Sequence, residues 1–224
     1  MGSGEVRHPI FARVFDRLSR GEEDAGQREH RRRALAGLRG RVVELGAGNG
    51  LNFEHYPDTV TEVVAVEPEP FLRQRAREAA AHAAVSVTVV EGVAAALPVD
   101  DESCDAAVTS LVLCSVPDQA ATLRELRRVL EPGGELRFYE HVLSPRPGFG
   151  RFQRAADATL WPRLAGGCHA ARDTLAAIER AGFDVERCDR FDFRPSILVA
   201  PATPKILGLA RRPATPPAGA AAPG

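Results

Sequence analysis

Between residues 41 and 140 short apolar runs alternate with longer stretches of helical periodicity. Val42–Leu45, Val63–Val66, Val85–Val90, Ala106–Leu113 and Leu136–Tyr139 read as five strands. The segments between them, notably Phe71–Ala84 and Gln119–Leu130, read as helices, and Glu131-Pro132-Gly133-Gly134 supplies a helix stop and turn. Alternation of this kind predicts right-handed crossovers and a mostly parallel sheet. A helix over Arg172–Ala181, closed by Gly182, and strand candidates near Asp184–Phe191 and Ile206–Ala210 complete the pattern. The expected fold class is α/β, a Rossmann-like, mostly parallel seven-stranded sheet flanked by helices.

The flanks follow other patterns. Phe11, Val14, Phe15 and Leu18 recur at the spacing of one buried helical stripe, and a second charged helix runs through Arg28–Arg33 towards Leu38. The arginine run reads as a solvated helix face, with an anion site as the alternative. Residues 1–40 are therefore expected to form a helical cap on a domain of residues 41–212. Ser144-Pro145-Arg146-Pro147-Gly148 opens a segment, 144–170, in which Phe149, Phe152, Leu160, Trp161 and Leu164 are interspersed with Arg151, Arg154 and Arg163. A lid is the expected role of that segment, and a surface resting on anionic lipid is the alternative. The Pro/Ala/Gly-rich tail 213–224 is expected to be disordered.

Composition narrows the chemistry. The 224 residues suit one compact domain, and 29 basic against 30 acidic residues give no bulk electrostatic case for nucleic acid. No apolar run approaches a membrane span and no signal-peptide core follows the first Met, so a cytoplasmic protein is expected. Lys205 is the single lysine of the chain. It sits in Pro-Lys-Ile, which excludes a Walker phosphate loop and disfavours kinase and pyridoxal-phosphate chemistry. Cys104, Cys114, Cys168 and Cys188 form no C-x-x-C pair and the six histidines show no metal-ligand spacing, so free thiols and no metal are expected.

The chain from Val42 reads Val-Val-Glu-Leu-Gly-Ala-Gly-Asn-Gly, an apolar strand running into a glycine turn whose backbone can approach a ligand closely. Val63–Val66 then ends in Glu67, a carboxylate placed to accept both hydroxyls of a ribose. Nicotinamide and S-adenosylmethionine (SAM) enzymes share these two features. Two observations favour SAM: Leu51 stands where a dinucleotide site has its third glycine, and neither Tyr56 nor Tyr139 is followed by a lysine four residues on.

Ala96–Asp105, Arg128–Leu136 and the glycine turn together resemble class I SAM-dependent methyltransferases of the methyltransferase-11 type, over roughly Arg41–Tyr139. Ser110–Val116, Phe138–Val142, and Trp161 with Gly166-Gly167-Cys168-His169 and Arg172-Asp173-Thr174 are similar to the methyltransferase-like 7 group, whose animal members methylate small thiols. The resemblance implies SAM as cofactor and methyl transfer to a small-molecule acceptor, with a thiol expected. A quinol carbon, a phenol or an amine are the alternatives, as is a SAM-binding protein without catalysis. The sequence departs from the pattern in two places. Residues 1–40 are charged where animal members carry a hydrophobic membrane-binding segment, and Val93 stands where many methyltransferases place an adenine-binding acid.

Carried onto these positions, the resemblance assigns the donor site to Glu44, Gly46, Ala47, Gly48, Gly50, Glu67, Pro68, Gly92, Val93, Ala94 and Leu111, with Leu97 flanking adenine. The acceptor lies beyond the carboxyl ends of strands four and five. There His141 is the expected base, because an imidazole titrates near neutral pH, with Asp118 and His169 as further candidates. Direct displacement at a sulfonium needs no covalent enzyme intermediate, so Cys114 and Cys168 are expected to be small buried hydrophobes.

Overall fold

The structure, a computed structural model, describes residues 9–194 and 197–214. Its seven strands are β1 (Gly40–Leu45), β2 (Val60–Val66), β3 (Val87–Val90), β4 (Cys104–Ser110), β5 (Leu130–His141), β6 (Asp184–Asp192) and β7 (Pro204–Arg211). They form one sheet in the order β3-β2-β1-β4-β5-β7-β6. Strands β1 to β5 pair in parallel, whereas β7 runs antiparallel to both β5 and β6. The expected seven-stranded class is thus observed, with the antiparallel pairings confined to one edge.

Both sheet faces are covered, which is why the strands read as continuous apolar runs rather than alternating ones. Val43, Leu45, Val64, Val66 and Ala107 point into one core with Leu123, Leu126 and Phe138. Their neighbours Val42, Val63, Ala65, Ala106 and Val108 point into the other with Leu35, Phe53 and Tyr56. Glu44 shares the face of Val42, so its carboxylate enters the second core beside Phe53 and Tyr56.

Helices α1 (Pro9–Glu22), α2 (Arg28–Leu35), α3 (Pro70–Ala80), α4 (Gln119–Val129), α5 (Pro147–Asp157), α6 (Trp161–Leu164) and α7 (Thr174–Arg180) flank the sheet. Three of them start on a side-chain cap: Glu69 accepts the Leu72 N–H, Asp118 that of Ala121 and Asp173 that of Ala176. Asp118, a candidate base in the sequence, therefore already has a partner at the start of α4.

The amino-terminal stripe is corrected. Val14 and Leu18 are about half exposed, and the buried face of α1 is Ala12, Asp16 and Ser19, with Phe11 and Phe15 half-buried beside it. Polar groups point inward because polar partners wait there: Asn49 Nδ2 donates to Asp16 Oδ1 at 2.9 Å and to Ser19 Oγ at 3.0 Å. Arg31 likewise leaves the solvated face expected of it. It is buried against Glu23 at 2.7 Å, whereas Arg28, Arg32 and Arg33 remain on the surface. The expected strand Ala106–Leu113 stops at Ser110, because Leu111 turns to a φ of +63°. Of the tail 213–224, residues 215–224 lie outside the described residues.

Candidate active site

The carboxyl ends of β1, β2, β4 and β5 meet at one edge of the sheet, where an open α/β sheet binds its ligands. After Leu45 the chain turns through Gly46, whose N–H donates to the Val66 carbonyl at 2.8 Å; the Ala47 N–H follows at 3.2 Å. Gly46 has a φ of +65°, and a Cβ there would fall 2.5 Å from Val112 Cγ2. Gly48, with φ +58°, differs: its Cβ position is open except for the Phe15 ring at 3.4 Å. The turn is thus closed at Gly46 by Val112, while at Gly48 there is room for a Cβ beneath the Phe15 ring of α1.

Two carboxylates flank the turn. Glu67 at the tip of β2 is buried and accepts the Gly48 N–H on Oε2 at 2.8 Å and the Glu69 N–H on Oε1 at 2.9 Å. Burial pushes its carboxyl up to about 6 against the pull of these two N–H donors. Pro68 follows, its carbonyl accepting from Arg73 at 2.8 Å. Glu44, also buried, accepts from Asn52 Nδ2 at 2.8 Å and from the Tyr56 hydroxyl at 2.7 Å, and burial raises it to about 7. Asn52 in turn accepts from Arg31 at 2.9 Å, so a buried polar chain runs Glu23–Arg31–Asn52–Glu44–Tyr56. The chain ties the amino-terminal helices to the strand end. The sequence shows Asn52 and Tyr56 only as short-range followers of the glycine motif, and gives no sign of Arg31.

Beyond β3, Glu91 is drawn away by Arg73 at 2.8 Å. Gly92 is wedged in: a Cβ there would lie 2.7 Å from Pro98 Cδ and 2.8 Å from Val66 Cγ1. Val93 bridges to Ala96, and the Leu97 N–H is held by Glu125 at 2.9 Å. Val93 and Ala94 are half-buried, Leu97 is buried in the first core, and none of the three supplies an acid.

Glu140 holds the loop after β4. Fully buried, it accepts the N–H groups of Val112 at 3.2 Å, Leu113 at 3.0 Å and Cys114 at 3.3 Å. Leu111 donates its N–H to the Tyr139 carbonyl at 2.7 Å, which fixes the left-handed turn that few non-glycine residues adopt. Arg172 reaches the Leu113 and Val116 carbonyls, both at 2.7 Å. At the end of β5, His141 Nδ1 lies 3.4 Å from Cys114 Sγ and 3.5 Å from Cys168 Sγ. His169 bonds Cys114 through its backbone N–H at 2.8 Å, but its ring is partly exposed and sits 3.8 Å from Asp157. The structure brings His141 and the two cysteines together and leaves Asp118 and His169 outside that group. Lys205 pairs with His141 in register across β5 and β7, and its buried ammonium bonds Tyr139 at 3.0 Å and Gln27 at 3.2 Å. Burial lowers it to about 8. A cleft lined by Arg39, Asp105, Pro132 and Arg211 lies at the opposite end of the strands and holds none of these residues.

The methyltransferase-domain family matches residues 43–138. Over 181 residues, 79% of this chain and 73% of the relative, the sequence is 34% identical to the thiol S-methyltransferase TMT1B of Mus musculus. The chain belongs to that methyltransferase family. It is also 35% identical to the thiol S-methyltransferase TMT1A of Homo sapiens over 145 residues, 63% of this chain and 59% of the relative. A Bacillus halodurans protein assigned to the methyltransferases shares the fold, with a TM-score of 0.66 and 19% identity over 81% of this chain and 97% of its own. SAM is the cofactor of this methyltransferase, and the residues present fit it. Gly48 puts no side chain on the turn beneath the Phe15 ring, and each Glu67 oxygen, holding one N–H, keeps a second lone pair for a ribose hydroxyl. Among the described residues of the methyltransferase, no helix is long and apolar enough to cross a membrane.

Proposed function

We propose that this methyltransferase moves the methyl group of SAM to the sulfur of a small thiol. The observation that carries the reading is the reach of the similarity to TMT1B. At 181 residues it extends well beyond the core at 43–138 and takes in sequence that builds the acceptor side. The reading places the chain in the cytoplasm, where reducing conditions keep thiols such as Cys104, Cys114, Cys168 and Cys188 free.

SAM supplies an electrophilic methyl on a sulfonium. Glu67 accepts the ribose hydroxyls, the turn from Gly46 to Gly50 approaches the methionyl part, and Val93, Ala94 and Leu97 pack on adenine. Glu44, with both oxygens engaged by Asn52 and Tyr56, is a positioning residue that sets the floor of the turn. Displacement at a methyl carbon is governed by alignment, so the chain's main contribution is to hold the acceptor sulfur in line with the donor. His141 heads the acceptor pocket, while Asp118 serves as a helix cap. The segment 144–170 forms the lid. Two contacts support this: a Cβ on Gly166 would overlap the Phe11 ring, and one on Gly167 would lie 3.1 Å from the Ser115 carbonyl.

The test is incubation with methyl-labelled SAM and a panel of aliphatic and aromatic thiols, hydrogen sulfide, a catechol and a demethylated quinol. Labelled thioether is the expected product. Label found only on oxygen or carbon would overturn the thiol reading and leave the donor site standing.

A further inference from the structure

We propose that Cys114, His141 and Cys168 form a three-ligand site for a soft divalent cation of the zinc type, whose fourth position takes the acceptor thiol as thiolate. The role of the fourth position rests on the thiol reading above; the site itself does not. The two sulfurs and the imidazole nitrogen lie within 4.8 Å of one another, with Cys114 and Cys168 buried. A tetrahedron with zinc–sulfur bonds of about 2.3 Å and zinc–nitrogen bonds of about 2.0 Å has sulfur–nitrogen edges of about 3.5 Å. The observed edges are 3.4 and 3.5 Å.

Hydrogen bonding accounts poorly for the same arrangement. A neutral imidazole nitrogen offers one proton or one lone pair, depending on the tautomer, yet two sulfurs converge on Nδ1. Thiol groups are weak donors and weak acceptors, so two buried sulfurs gain little from sharing one nitrogen. A cation uses the lone pairs of all three atoms. Two thiolates and one imidazole are also a soft donor set suited to zinc, and three protein ligands with one position left open are the pattern of a catalytic zinc site.

The ligands come from distant parts of the chain and are each held in place, as a metal site requires. Glu140 and Arg172 fix the loop carrying Cys114. His141 ends β5, paired to β7. Cys168 follows Gly166 and Gly167, both at positive φ, and the next residue's N–H donates to the Cys114 carbonyl at 2.8 Å. Lys205 lies across the ladder from His141, and directly opposed residues share a sheet face, so a buried ammonium offsets the negative charge added by a third thiolate. The chemistry balances without a redox partner. The acceptor binds as thiolate and releases its proton to water. Its lone pair forms the new carbon–sulfur bond while the donor's methyl–sulfur bond breaks, and that electron pair stays on the donor sulfur as S-adenosylhomocysteine. The product thioether, a weaker ligand, then leaves.

Cobalt(II) is the probe, added to the reduced, chelator-treated chain without SAM. The expected result is thiolate-to-cobalt charge-transfer absorption that saturates at one equivalent per chain and is bleached by zinc. Cys114→Ser and Cys168→Ser should each weaken binding by more than about 100-fold, beyond what loss of an outer partner of a metal site costs. Cys188→Ser, outside the cluster, should leave it intact. No charge-transfer band in the reduced wild-type chain, or the same band in both serine variants, overturns the site. Thiol methylation at full rate by the metal-free chain overturns the metal's role and leaves the thiol reading intact. Cobalt binding in a chain that methylates only oxygen or carbon upholds the site and overturns the thiolate at its fourth position.

Discussion

On the proposed reading the site has a donor half and an acceptor half, and the two are assembled differently. The donor half lies mostly within one stretch, Val42 to Glu67, where two adjacent parallel strands end beside each other and the turn between sheet and helix carries the glycines. The acceptor half draws on Cys114, His141 and Cys168, which only the sheet and the 144–170 segment bring together. A local motif brings its own geometry with it. A dispersed cluster depends on every element that sets the distances, which here include Glu140, Arg172 and β7.

If the halves are separable, variants should split them. Glu67→Ala removes two acceptors of charged hydrogen bonds, each worth roughly 1.5–3 kcal/mol, so S-adenosylhomocysteine affinity should fall about 100-fold or more by calorimetry. His141→Ala should leave that affinity within about twofold while thiol turnover falls about 100-fold or more. Loss of donor binding in His141→Ala would break the comparison.

The pH dependence sharpens it. Because burial raises the Glu67 carboxyl to about 6, the free protein holds, below that pH, a proton that ribose binding must displace. Affinity for S-adenosylhomocysteine should therefore be level above pH 6 and weaken below it, by up to about tenfold per unit. Glu67→Gln should bind weakly with a flat profile. A sloping profile in that variant would assign the proton to another group. The smallest effect is expected at Asp118. Asp118→Ala loses a helix cap worth about 1 kcal/mol and should melt about 2–4 °C lower with turnover within about twofold. A large loss of turnover would return Asp118 to the acceptor side.

The fold class, the glycine turn and Glu67 were legible in the sequence because each depends on residues near one another in the chain. The amino-terminal helices were legible as helices but not as to their faces. Val14 and Leu18 look like core by periodicity, yet Asn49 donates to Asp16 and Ser19 and turns that polar face inward. Arg31 was hidden for the same reason, since its partners Glu23, Asn52 and Ser110 lie 8, 21 and 79 positions away.

The sequence by itself determined the alternation of strand and helix, the positive-φ turn after β1 and the acid at the tip of β2. Hydrophobic period and glycine freedom act over a few residues and need no knowledge of the rest. Only the tertiary structure decided that Lys205 is buried beside Tyr139, that Glu140 fixes the loop after β4, and that Cys114 and Cys168 face one imidazole. The two cysteines each lie 27 positions from His141, a spacing without meaning along the chain. The physical reason is that strand pairing and the packing of the 144–170 segment set these distances, and both are long-range.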